Sequence, residues 1–100
     1  MTDRADLAMV AYARARFPAQ FGAMKDVDIL PIVADVRARA RAHAVTGESD
    51  VATAFDLSVM YGPTFYEAPW ARDVFDVREW SGSEKLAVLS ARVRHRLADF

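Results

Sequence analysis

The sequence predicts an all-α single domain, and three observations carry that prediction. Apolar residues recur at three- and four-residue spacing in several runs, and no run alternates with period two over the length of a strand. The runs are separated by strong stop signals: Phe17-Pro18, Thr46-Gly47, Gly62-Pro63 and the loop from Asp76 to Gly82. One run, 50–61, is apolar nearly all round, the pattern of a helix enclosed by other helices. The expected architecture is a bundle of four main helices plus one short helix, with 50–61 at its centre and residues 1–100 in one domain.

The first helix is expected over 4–16, with Asp3 as its N-cap and Asp6 three residues on. Leu7, Val10, Ala11, Arg14 and Ala15 fall on one face, and Met9, Tyr12 and Arg16 on another, so two neighbours can contact it. Pro18 restricts Phe17 and ends the run. Residues 17–27 form a connector in which Phe17 and Phe21 plug the core, with room for a short helical turn. The second main helix is placed at 28–45, capped by Asp26 or Asp28, with Pro31 in its first turn. Ile29, Val33, Val36, Ala40 and His43 make its inward stripe, and Arg37 and Arg41 an outer row beside Asp35 and Arg39. Gly47 is the natural left-handed residue after its end.

Ser49 then caps the central helix, with Asp50 in the first turn where the helix dipole favours an acid. Only Thr53 and Asp56 give that helix a polar edge. Beyond Gly62-Pro63, residues 64–68 read as a loop, Pro69 opens a short helix reaching Phe75, and a second loop carries Trp80. Ser81 and Glu84 have capping-box spacing, although Ser83 is an equally good cap. The last helix, 84–98, places Leu86, Leu89, Ser90, Val93, Leu97 and Phe100 on one face.

Composition narrows the function. With 13 basic and 14 acidic residues the net charge is -1, which lacks the basic excess of a dedicated nucleic-acid binder and gives no reason to sit on an anionic membrane. Cysteine is absent, removing disulfides, thiol nucleophiles and thiolate metal sites. His43 and His95 are far apart in the chain, so neither a metal nor another cofactor is expected. The start, Met-Thr-Asp-Arg-Ala-Asp, does not read as a signal peptide, and no apolar run approaches the roughly 20 residues of a membrane span. A cytoplasmic protein is the expectation.

Each candidate residue has a structural and a functional reading. The row Arg37, Arg39, Arg41, with a turn and a following helix, has the outline of a helix-turn-helix, yet the second helix offers Val, Ala, Phe and Leu where base edges demand polar groups. His43 reads as a packed residue at a helix end. Asp56, a carboxylate in the most apolar helix, must be paired or reach solvent, either in an ion pair with an arginine or facing a partner. Glu48 and Asp50 are first-turn acids. The aromatics Tyr61, Phe65, Tyr66, Trp70, Phe75 and Trp80 are dense enough to be core plugs, interface anchors, or both. No glycine-rich phosphate loop, Gly-x-Ser-x-Gly elbow or His-Glu-x-x-His motif occurs, so an enzyme is not expected.

The succession Phe17-Pro18-Ala19-Gln20-Phe21, Arg39-Ala40-Arg41, Ala44 to Val51, Asp56-Leu57, Tyr61-Gly62-Pro63-Thr64-Phe65, Pro69-Trp70-Ala71 and Glu84-Lys85 resembles a group of small helical bacterial proteins. These are encoded beside type VI secretion effectors, spike components and adaptors. The resemblance spans 17–97, with one departure: His43-Ala44 stand where the pattern has a Tyr-Gly helix end. It implies a non-enzymatic, chaperone- or adaptor-like role, the partner being a secreted effector or spike component. The partner surface is then expected at Phe65, Tyr66, Trp70 and Trp80, with acids Glu48, Asp56 and Glu67. The alternatives are a DNA-binding regulator and an immunity protein that blocks a toxin.

Overall fold

The computed structural model describes residues 3–98, with side chains through Arg94. Among them the chain forms α1 (Arg4–Arg16), α2 (Pro18–Phe21), α3 (Asp26–Ala42), α4 (Glu48–Tyr61), a 3-10 turn (Phe65–Glu67), α5 (Pro69–Phe75) and α6 (Gly82–Ala98), and no strand. The all-α expectation holds: four long helices, the short α5, and a single turn, α2, in the connector. Leu97 and Phe100, expected on the apolar face of the last helix, lie outside the described side chains.

α4 is the centre, packing against α3, α6, α1 and the 3-10 turn. Val51, Ala54, Phe55 and Leu57 are its buried residues. Phe55 is fully enclosed, with ring centroids 6.2 Å from Tyr12, 6.1 Å from Phe17 and 5.6 Å from Phe21. That cluster explains why the connector turns where it does: Phe17 and Phe21 leave α1 and α2 to reach one ring of α4. On the other side, Leu86, Leu89 and Val93 of α6 close the core, while α5 lies on α6. The Cα extents of 36 × 32 × 18 Å match two layers of helices about 8–10 Å apart.

α1 buries Met9, Val10 and Ala13 and leaves Leu7, Ala11 and Ala15 exposed. The face expected from Leu7, Val10, Ala11, Arg14 and Ala15 is therefore turned away by about a third of the circumference, because α3 and α4 share the side of Met9 and Val10. Asp3 caps α1 as expected, its carboxylate accepting from Ala5 N at 3.0 Å. Asp6 does not complete a box; it takes Arg37 Nε at 2.6 Å.

α3 starts at Asp26, two residues early, so Pro31 stands inside the helix rather than in its first turn. The Val27 carbonyl accordingly has no amide proton four residues on. Lys25 is the N-cap without a side-chain bond, and Asp26 and Asp28 both sit in the first turn, where they offset the dipole.

The end of α3 is a second correction. Gly47 has φ -68 and is the N-cap of α4, so Ser49 lies inside the helix and makes no capping bond. The left-handed residue is Ala44, φ 63. Val45 N donates to Ala40 O at 2.8 Å and Ala44 N to Arg41 O at 3.0 Å, the paired bonds of a Schellman ending. Val45 is buried and supplies the apolar contact that accompanies such an ending. Packing of Val45 outweighs the missing glycine. Ala44→Gly is expected to raise stability by about 0.5–1 kcal/mol, as relief of the left-handed strain exceeds the added chain entropy. Thermal unfolding checks it, and a lowered Tm sinks the idea.

α6 opens on a true capping box: Glu84 N donates to Ser81 Oγ at 3.1 Å and Ser81 N to Glu84 Oε1 at 3.3 Å. Ser83, the alternative cap, instead donates its hydroxyl to Asp50 at the start of α4.

Candidate interaction surfaces

The aromatic stretch divides between core and surface. Phe65 and Tyr66 are buried, the two rings stacked with centroids 4.0 Å apart. They are core residues and correct the expectation that they face a partner: the 3-10 turn points both rings inward, beneath Trp70 and Phe75. Trp70 is half-buried, its ring 5.0 Å from that of Tyr61. Tyr61 and Met60, at the end of α4, are 42% and 43% exposed. Trp80 is exposed as well, but follows α5 whereas Trp70 opens it, so the two tryptophans flank opposite ends of that helix. Glu67 is exposed beside the turn.

The expected acids are engaged within the chain. Asp56 accepts Tyr12 Oη at 2.8 and 2.9 Å and lies 3.6 Å from Arg16 Nε. Its partners come from α1, and the group joins α1 to α4. Burial first, and the Asp56 carboxylate second, push the Tyr12 hydroxyl up to about 12. Glu48 takes Arg37 through both oxygens, at 2.8 and 3.1 Å, and the same guanidinium takes Asp6. The Glu48 hydrogen bonds, and those of Asp6, raise the Arg37 pKa against the cost of burial. Arg39 pairs with Asp35 at 2.9 Å. Two members of the arginine row thus serve internal ion pairs.

A concavity of about 400 Å³ is lined by His43, Tyr66, Glu67, Arg72, Phe75 and Asp76. His43, the C-cap of α3, stacks on Tyr66 at 4.1 Å and 7° and meets Phe75 edge-on at 5.2 Å. Its Nδ1 is 2.9 Å from Arg39 O. A carbonyl only accepts, so Nδ1 carries the proton and Nε2 is the nitrogen left for other contacts. The lining contributes charge and hydrogen bonding, with no serine or threonine hydroxyl among its residues. Lys85, itself buried, closes the end of α5 by donating to Phe75 O at 3.1 Å. Among the described residues no three His, Asp or Glu side chains gather so as to hold a metal ion, and no helix is long and apolar enough to cross a membrane.

Tyr66 Oη is buried and makes no hydrogen bond among the described residues. Burial pushes it up to about 12, with Arg39 acting the other way. The folded state therefore holds the proton more tightly than the unfolded chain, whose tyrosine ionises near 10.0. The resulting stabilisation is complete below pH 10 and is lost as pH rises towards 12. Tyr66→Phe removes an unpaired buried hydroxyl and is expected to stabilise the domain by about 1–3 kcal/mol at neutral pH. It should also flatten the alkaline loss in denaturation curves, leaving the part owed to Tyr12. A destabilised variant would show that the hydroxyl is satisfied.

A second groove, of about 410 Å³ and mostly apolar, runs between α2, α3 and α4, lined by Phe21, Pro31, Ile32, Val36, Val59 and Pro63 among others. Sequence reasoning missed it, because Ile32 and Pro31 lie off the inward stripe of α3. Met60 was missed for the same reason on α4: each is an apolar residue on a face that the helical pattern assigns to solvent.

Comparison with protein-family models, with curated proteins and with solved structures finds no match for this chain.

Proposed function

We propose that this chain is a non-enzymatic protein-interaction module, an accessory protein of chaperone or adaptor type that acts in the bacterial cytoplasm on a type VI secretion effector or spike component. The observation that carries an interaction role is the surface at the end of α4. There the exposed Tyr61 stands beside the half-buried ring of Trp70, itself seated on the buried Phe65, and Met60, one residue earlier on α4, is exposed as well. An aromatic pair held on a rigid base contributes contact area at little conformational cost, the usual character of an interface anchor. Glu67 supplies an exposed acid in the neighbouring turn. The type VI assignment rests on the sequence resemblance.

The pairing of the largely buried Arg37 with both Asp6 and Glu48 favours a protein partner over DNA, since phosphate contacts need free cations. Co-purification of the tagged chain with the products of neighbouring genes tests the reading. Tyr61→Ala is expected to weaken the complex at least tenfold while leaving the Tm unchanged within a degree or two. A complex that silences a toxin's activity would instead favour the immunity role, and the absence of any complex would remove the interaction role.

A further inference from the structure

The outward face of α3 departs from what a surface helix normally shows. Its buried residues are Ile29, Val33, Val36 and Ala40. On the side opposite them stand Val27, Pro31, Ala34 and Ala38, all exposed and within about 60° of one another around the helix. Val27 is 70% exposed. A helix with one buried face ordinarily turns charges outward; here the charges are displaced to the flanks. Asp28, Asp35 and Arg39 line the flank beside the apolar groove, and Arg41 lies on the other. Pro31 belongs both to the outward face and to the groove of Ile32, Val36 and Val59, while the row of Asp28, Asp35 and Arg39 runs between the rest of the two, Asp35 itself lining the groove.

We propose that this surface is the interface of a homodimer in which α3 packs antiparallel against α3 of a second copy about a two-fold axis. Charge complementarity selects the occupant. α3 is acidic in its first turn, at Asp26 and Asp28, and basic towards its end, at Arg37, Arg39 and Arg41. In an antiparallel two-fold pair the same flank of each copy meets itself running the opposite way, as an isologous contact requires. Asp28 then approaches Arg39 of the second copy, and the arrangement occurs twice. Asp28 makes no ion pair within its own chain among the described residues, and Arg39 is held only by the exposed Asp35. The antiparallel order also opposes the two helix dipoles, and alanines at 34 and 38 let the axes come close. The groove beside the interface reaches Val59 and Pro63, but Met60 and Tyr61 leave α4 about 100° and 200° round from Val59, so their surface faces elsewhere.

Sedimentation equilibrium of the full chain over two decades of concentration tests the proposal. The expected result is a monomer–dimer equilibrium whose upper mass is twice 11.1 kDa. Ala38→Glu, on an exposed helical position, should abolish the dimer with helicity retained. Asp28→Arg should weaken association at least tenfold, and adding Arg39→Asp to it should recover most of the loss. A chain that stays monomeric throughout overturns the proposal, including one whose α3 face is instead covered by a different protein. So does a dimer indifferent to Ala38→Glu and Asp28→Arg.

Discussion

Phe55→Ala is expected to lower the unfolding free energy by about 3–5 kcal/mol. The side chain is fully buried, and its ring contacts Tyr12 from α1, Phe17 from the connector and Phe21 from α2. Truncation therefore removes a large apolar transfer term and opens a space that three other rings line. Those rings come from separate elements, and the elements are tied to one another: Tyr12 of α1 to Asp56 of α4, and α1 to the connector through Arg14, which donates to Met24 O at 2.8 Å. Collapse into the space is thus restricted, placing the cost toward the upper half of the range. For a domain of this size the whole stability is about 5–15 kcal/mol, so the variant sits near the folding threshold at 37 °C. Urea unfolding should show a large fall in midpoint with little change in slope. A loss below about 1 kcal/mol would mean that the aromatic cluster is not closed around Phe55. Tyr61→Ala gives the contrast: an exposed aromatic six residues along the same helix, whose loss should be felt in binding and not in folding.

What the sequence made legible follows from how local each determinant is. Helical periodicity and stop signals are local, and they located α1, α4, α5 and α6 to within a few residues. The apolar circumference of α4 correctly marked it as central, since only neighbours on every side stabilise such a surface. Endings decided by tertiary packing were misplaced. Gly47 is the better left-handed residue by intrinsic preference, yet α3 ends at Ala42 because burying Val45 demands a turn at Ala44. Asp56 had to find a partner, and did, in Tyr12 and Arg16 of α1. For the aromatics, spacing could not separate anchor from plug. Whether Phe65 and Tyr66 face solvent depends on the direction of a single 3-10 turn, which no periodic pattern encodes. The outward face of α3 was hidden for a related reason: alanine and proline carry too little apolar signal to mark a stripe, and their meaning emerges only once the buried face is known.

Gly82→Ala is expected to destabilise the domain by about 1–3 kcal/mol, although alanine is the better helix former by about 1 kcal/mol. Gly82 is the first residue of α6, directly after the Ser81 cap. A Cβ at this position would stand 3.0 Å from the Ala44 carbonyl carbon and 3.1 Å from Val45 Cα, with the Ala44 oxygen nearer still. All three are backbone atoms, so no side-chain rotation relieves the contact. The strained end of α3 and the start of α6 therefore meet backbone to backbone, and relief requires one of them to move. Moving Ala44 disturbs the Schellman bonds to Ala40 and Arg41 and lifts Val45 from the core. Moving α6 instead shifts Leu86 and Leu89 against α4, along with the bond from Lys85 to Phe75 O. Either response transmits to His43, because the C-cap of α3 and the end of α5 are the two walls of that concavity. Combining Gly82→Ala with Ala44→Gly separates the two responses. Recovery of most of the lost stability would show that Ala44 yields and that its left-handed turn is the softer part of the joint. Simple additivity would show that α6 moves. A neutral or stabilising Gly82→Ala would mean that the approach of α6 to the Ala44 turn is looser than the backbone contact requires.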